Sequence, residues 1–169
     1  MMAAKPSLIA LRPFLPADTP ILAAIFRASI EELTSEDYDL DQQEAWASLA
    51  DDEEAFGNRL GAMLTLIATL SGSPVGFACL KGKDVIDCLY VHPVAVRQGA
   101  ATALCDALEK LAEGRGASSM SVDASDPARS FFDRRGYQPH RRNTVSVGDE
   151  WLGNTTMRKT LNQHQQAQQ

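Results

Sequence analysis

Gly99 stands in the run Val96-Arg97-Gln98-Gly99-Ala100-Ala101-Thr102, directly ahead of a helical pattern. Glycine removes a Cβ where the chain turns, and Ala100 and Ala101 keep the first helical turn slim. The free N–H groups at the helix start therefore stay open to an anion. Just upstream, six of the seven residues of Val85-Ile86-Asp87-Cys88-Leu89-Tyr90-Val91 are apolar or aromatic, and Asp87 is the one charge. A carboxylate isolated in that way can accept a proton from a reacting group, directly or through water. It can equally be a strand acid paired with Lys81 or Lys83. Together the two features suit a pyrophosphate-bearing ligand held beside a proton acceptor.

These residues need a rigid frame, and the pattern supplies one. The run 85–91 is too short for a helix and rich in β-branched residues, which predicts a strand covered on both faces and ended by Pro93. Ala100, Ala103, Leu104, Ala107, Leu108, Leu111 and Ala112 recur at helical spacing, opposite Asp106, Glu109, Lys110 and Glu113, and Gly114 and Gly116 end that helix. A second strand, cap, helix and glycine stop follow over 122–137. Ser125 or Asp126 caps that helix, Pro127 sits in its first turn, Phe131 and Phe132 face inward, and Arg134 and Arg135 suit its C-terminal dipole. Elsewhere, 8–11 reads as a first strand, 16–33 and 40–50 as helices, and 51–60 as a third helix. Strands are expected at 63–70 and 75–80, and a final antiparallel pair at 141–147 and 150–157.

With 169 residues, 44% of them hydrophobic, the chain can bury one core and is short for two domains. The expected unit is a single domain over 1–161, with a disordered polar tail at 162–169. No apolar run is long enough to span a bilayer, and the first seven residues lack the apolar core of a signal peptide, which predicts a cytoplasmic protein without membrane or nucleic-acid partners. Cys79, Cys88 and Cys105 form no CxxC pair and sit in apolar patterns, so they read as small core residues, and the scattered His92, His140 and His164 offer no zinc spacing, so no metal is expected.

The segments LYVHP, VRQGAATAL and VDASDPARSFFDRRGY resemble the acetyl-CoA-binding core of the GNAT superfamily of N-acetyltransferases, over roughly residues 64–161. The resemblance implies an α+β fold, a mixed and mostly antiparallel sheet of about seven strands flanked by helices. It implies acetyl-CoA as co-substrate. The pantetheine arm would lie along Leu89, Tyr90 and Val91, the pyrophosphate on Arg97, Gln98, Gly99, Ala100, Ala101 and Thr102, and further contacts would come from Asp126, Ala128 and Phe131. A main-chain N–H near Leu89 to Val91, freed by a bulge, would stabilise the oxyanion. Two departures stand out. Val96 replaces the usual Gln or Arg of the loop, leaving Arg97 and Gln98 as nearby polar substitutes. Phe132 occupies the place of the Tyr that in many members protonates the thiolate. Either Tyr137 takes that role or the thiolate leaves unassisted; Tyr137 otherwise reads as a packed strand residue.

The acceptor is suggested by charge. Eleven of the 22 acidic residues lie between Glu31 and Glu54, where no Lys or Arg occurs. In the family the corresponding helices wall the acceptor site, so Glu36, Tyr38 and Trp46 are expected to bind a small-molecule or peptide amine, cationic in character. Solvated helix faces at a net charge of −6 are the plain alternative. The expected reaction is acetyl transfer to a primary amine by direct attack on the thioester. A CoA-responsive module of the same fold without turnover stays open, as does a homodimer. A phosphate binder of unrelated fold is disfavoured, because no Lys follows Gly99 and no GxGxxG is present.

Overall fold

The computed structural model describes residues 8–161. Seven strands, β1 (Ile9–Pro13), β2 (Leu64–Leu70), β3 (Ser73–Lys81), β4 (Val85–Val91), β5 (Ser119–Ser125), β6 (Gln138–Val147) and β7 (Glu150–Thr160), form one sheet in the order β1-β2-β3-β4-β5-β7-β6. Five helices accompany them: α1 (Thr19–Leu33), α2 (Leu40–Ala47), α3 (Glu53–Gly61), α4 (Ala100–Gly114) and α5 (Arg129–Arg134). Every neighbouring pair is antiparallel except β4 and β5. The expected α+β architecture is what forms.

Alternation along the strands divides the interior in two. Ala78, Leu80, Ile86 and Met120 join Leu104, Leu108 and Ala112 of α4, together with Phe132 of α5, on one face. Ile67, Phe77 and Cys79 join Leu22, Ile25, Phe26, Ile30, Phe56 and Leu60 from α1 and α3 on the other. β2 and β3 are therefore largely buried on both sides, as their near-continuous apolar runs require, whereas β4, expected to be covered on both faces, is fully buried only at Ile86 and half-buried elsewhere.

Two irregularities shape the middle of the sheet. β4 pairs with β5 only at Val85↔Ser121 and Ile86↔Val122, so beyond Ile86 the two strands part. On its other side β4 pairs Cys88 with Cys79 and Ile86 with Leu80, leaving Asp87 as an extra residue in a bulge. The extra residue resets the alternation. Ile86, Leu89 and Val91 pack toward α4, while Cys88 and Tyr90 pack toward α1 and α3. Asp87 turns to that second face as well, where it meets Arg59 of α3.

Candidate active site

The open helix start expected after Gly99 is found at the head of α4. Between Val96 and Ala100 the backbone takes left-handed conformations at Arg97 (φ 65°) and Gly99 (φ 91°). The first helical bond runs from Ala103 N–H to Gly99 O at 2.9 Å, so the N–H groups of Ala100, Ala101 and Thr102 have no partner within the helix. A Cβ on Gly99 would meet nothing within 4 Å, so the loop is open above it. These groups border a cleft of ≈ 360 Å³ whose walls include Val91, Val96, Arg97, Phe131, Arg134 and Arg135. Arg97 and Arg134 are exposed, and neither has an acidic partner among the described residues. Arg135 is instead held by Asp106 (2.8 Å) and Glu109 (2.9 Å) on α4. Gln98 does not border the cleft; its side-chain amide turns back toward Val94 O at 3.5 Å.

The parted edge of β4 opens into the same region. His92 N–H donates to Val75 O at 2.7 Å, which continues the β3–β4 register and marks alternate residues as those bonded to β3. The N–H groups of Leu89 and Val91 consequently point away from β3, into the gap that β5 leaves. A slot of ≈ 80 Å³ occupies this gap, with Asp87, Leu89, Asp123 and Ser125 on its walls. A second cleft of ≈ 320 Å³ adjoins it, between the C-terminal half of α1, Trp46, β4 and the turn Ser125–Ala128. Val91 borders both this cleft and the one at the α4 start, so the two meet at the end of β4.

Asp87 Oδ2 accepts from Arg59 Nη2 at 2.9 Å, and Cys88 Sγ lies 3.5 Å from the same oxygen. Oδ1 has no partner among the described residues. The expected pairing with Lys81 or Lys83 is thus replaced by Arg59, the single cation between Arg27 and Lys81 in the sequence. The facing Cys79 thiol and burial hold the Cys88 thiol well above the ordinary range. Tyr90 runs along β4 as expected, but its ring turns into the α1–α3 core against Phe26 (4.7 Å) and Phe77 (5.5 Å). Its hydroxyl accepts from Trp46 Nε1 at 3.3 Å, and burial pushes its pKa up.

Several expected site residues serve elsewhere. Tyr137 is 2% exposed and donates its hydroxyl to Glu109 at 2.8 Å. Burial and that carboxylate push its pKa up, so it is a core residue rather than a proton donor at the cleft. Glu109 also accepts from Lys159 at 2.8 Å. Asp126 engages Arg142 of β6 with both oxygens and does not border the α4 cleft. Tyr38, 5% exposed, is a strut: its hydroxyl donates to Gly153 O (2.7 Å) and accepts from Asp126 N–H (3.0 Å), and burial raises its pKa. Ala128 and Trp46 border the cleft beside the end of α1, and Phe131 borders the α4 cleft. Glu36 is exposed and borders neither cleft. Other acids of its stretch, Glu31, Glu44 and Asp51, line a separate surface groove with Arg27. The acidic side chains of the stretch therefore border neither cleft, although Leu33, Thr34 and Trp46 within it line the second one.

Comparison with known proteins agrees with this geometry. Residues 34–161 match the model of the acetyltransferase (GNAT) domain. An uncharacterized N-acetyltransferase, YafP of Escherichia coli, is 33% identical over 150 residues, covering 89% of this chain and 95% of that protein. A GCN5-related N-acetyltransferase from Rhodopseudomonas palustris, also described as "Aminotransferase, Class-II", is 60% identical with a TM-score of 0.90, covering 95% of this chain and 99% of that one. The PaiA N-acetyltransferase of Thermoplasma acidophilum, solved with coenzyme A, shares the fold at a TM-score of 0.73 and 18% identity, over 90% of this chain and 98% of that one.

Proposed function

The chain belongs to the GNAT acetyltransferases, and from that premise we propose that it moves the acetyl group of acetyl-CoA to a primary amine by direct attack at the parted edge of β4. The observation that carries this reading is the meeting of two clefts at Val91, one floored by the α4 anion seat and the other lined by Trp46 and the end of α1.

The residues present fit acetyl-CoA. The N–H groups of Ala100, Ala101 and Thr102 would hold its pyrophosphate, and the unpaired Arg97 and Arg134 would add charge, so the loss of a polar side chain at Val96 is covered. Leu89 and Val91 would lie along the pantetheine arm like one partner in a strand pair. Bound there, the thioester supplies the acyl group and a good leaving group, because a thiol pKa near about 8.5 makes the thiolate a stable departing anion. The open N–H groups of Leu89 and Val91 are fixed by the β3 ladder before any ligand arrives, so they donate to a developing oxyanion at little reorganisation cost.

An alkylammonium with a pKa near about 10.4 carries its lone pair in about one molecule in a few thousand at neutral pH. Asp87 is the acid best placed to take that proton. Four residues at about 3.3 Å each separate it from Val91, too far for direct transfer, and the slot between β4 and β5 is wide enough for water to bridge the gap. Arg59 fixes the carboxylate through Oδ2 and leaves Oδ1 for the relay. With Phe132 buried and Tyr137 bonded to Glu109, the thiolate leaves without a tyrosine proton. The free thiols of Cys79, Cys88 and Cys105 suit a reducing compartment, which supports a cytoplasmic location.

The test is thiol release from acetyl-CoA on addition of primary amines. Amine-dependent release with one acetamide formed per thiol is expected. Tight acetyl-CoA binding with no release across alkyl, aryl, sugar and peptide amines would favour the module without turnover, which Phe132 supports.

A further inference from the structure

We infer that the acceptor is a small primary amine on an uncharged, apolar body, one with no second cation and no carboxylate. This rests on the transfer reaction proposed above. The cleft on the acceptor side of Val91 is bordered by Ile30, Leu33, Trp46, Leu89, Tyr90 and Pro127, and among the described residues no acidic or basic side chain lines it. Its polar side-chain atoms are four hydroxyls and the Trp46 indole N–H, most of them already engaged. Ser29 donates to Phe26 O at 2.9 Å, Thr34 to Ile30 O at 2.6 Å, and the Tyr90 oxygen accepts from Trp46. Ser125 alone among them has no partner among the described residues, and it stands where the cleft joins the Asp87 slot.

That arrangement sorts acceptors by what lies behind the amine. The amine itself reaches Val91 and the slot, where Ser125 and the water path to Asp87 receive it. The rest of the molecule lies against Trp46 and the aliphatic wall, where apolar surface is rewarded. A distal ammonium or carboxylate would be stripped of water against a wall that offers it no counter-charge. The volume of ≈ 320 Å³ is at the small end of small-molecule clefts, which favours a compact acceptor. The acids that would welcome a polycation line the groove around Arg27 instead.

A matched pair tests this. n-Hexylamine and 1,5-diaminopentane differ in replacing a terminal methyl by an ammonium. kcat/KM should favour hexylamine by about tenfold or more. Leu33→Glu, at a rim position that is 40% exposed and tolerant of charge, should shrink or reverse that ratio by helping the diamine. Calorimetry of both amines with the CoA-saturated protein reads the same preference without turnover. Hexylamine binding better with no acetylation of either amine would uphold the pocket chemistry and sink the transfer reaction. Equal or better use of the diamine, or no binding of either amine, would overturn the inference.

Discussion

Replacing Gly99 by Asp and by Ala separates backbone strain from charge at the anion seat. Both side chains enter open space, since a Cβ there meets nothing within 4 Å. Both must adopt φ near 91°, which costs an L-residue about 1–2 kcal/mol. In a domain of this size that lowers Tm by about 2–8 °C, so both variants should fold. The Asp carboxylate would be stabilised by the free end of α4 and would sit where the cofactor phosphates are proposed to bind. At about 5 Å and an effective dielectric of about 20, one pair of like charges costs about 3 kcal/mol. CoA affinity should therefore fall by about 10²-fold or more in Gly99→Asp, and by less than about tenfold in Gly99→Ala. Isothermal calorimetry with CoA, alongside thermal melts, reads both numbers. Equal affinities for the two variants would refute a phosphate seat at this loop.

Asp87→Asn preserves shape and removes the proton acceptor, so kcat/KM should drop by about 10²-fold or more and recover partly at alkaline pH, where the amine loses its proton unaided; a wild-type rate and pH profile would leave Asp87 as the structural partner of Arg59. Glu109→Gln removes one charge that Arg135, Lys159 and Tyr137 share. Because these groups are largely buried, the loss should be about 2–4 kcal/mol, seen by calorimetry as a Tm lowered by about 4–16 °C, and an unchanged Tm would contradict it. Tyr38, Tyr90 and Tyr137, the three tyrosines of the chain, all have pKa values raised by burial. With folded values above the unfolded one, their contribution is complete below about pH 10 and is lost as pH rises, because the unfolded chain releases phenolic protons that the fold retains. For Tyr90 and Tyr137, which are shifted furthest, stability should fall by about 1.4 kcal/mol per tyrosine per pH unit above that point. Phenolate absorbance should appear only with unfolding, and a reversible phenolate band in folded protein near pH 10 would be contrary.

What the sequence made legible follows the reach of each signal. β4 is observed over the expected 85–91, and α4 begins at Ala100, because apolar periodicity and the Gly99 punctuation act within a few residues. The left-handed Arg97 is invisible in its residue type, since only glycine advertises a positive φ. The bulge at Asp87 depends on β3, so no pattern inside β4 could reveal it, although the resemblance led to the expectation of one a few residues further on. Pairings distant in the chain were the main loss. Arg59 with Asp87, Arg142 with Asp126, and Tyr137 with Glu109 each join elements far apart in sequence. Arg59 alone left a trace, as the lone cation in a long acidic and apolar stretch. The acidic run from Glu31 carries a related limit: a charge run shows that faces are solvated, and only packing decides which faces meet the cleft.

Acetyl-CoA is proposed to be held by the backbone of the parted β4 edge and the α4 start, and titrating CoA into isotopically labelled protein while following backbone amide resonances puts that to the test. The largest shifts should fall on Leu89, Val91 and the stretch from Arg97 to Thr102, with little change along β1 or in the groove around Glu31 and Asp51. Shifts centred on that groove, or a saturable CoA interaction that leaves Leu89, Val91 and Ala100 to Thr102 unmoved, would contradict it.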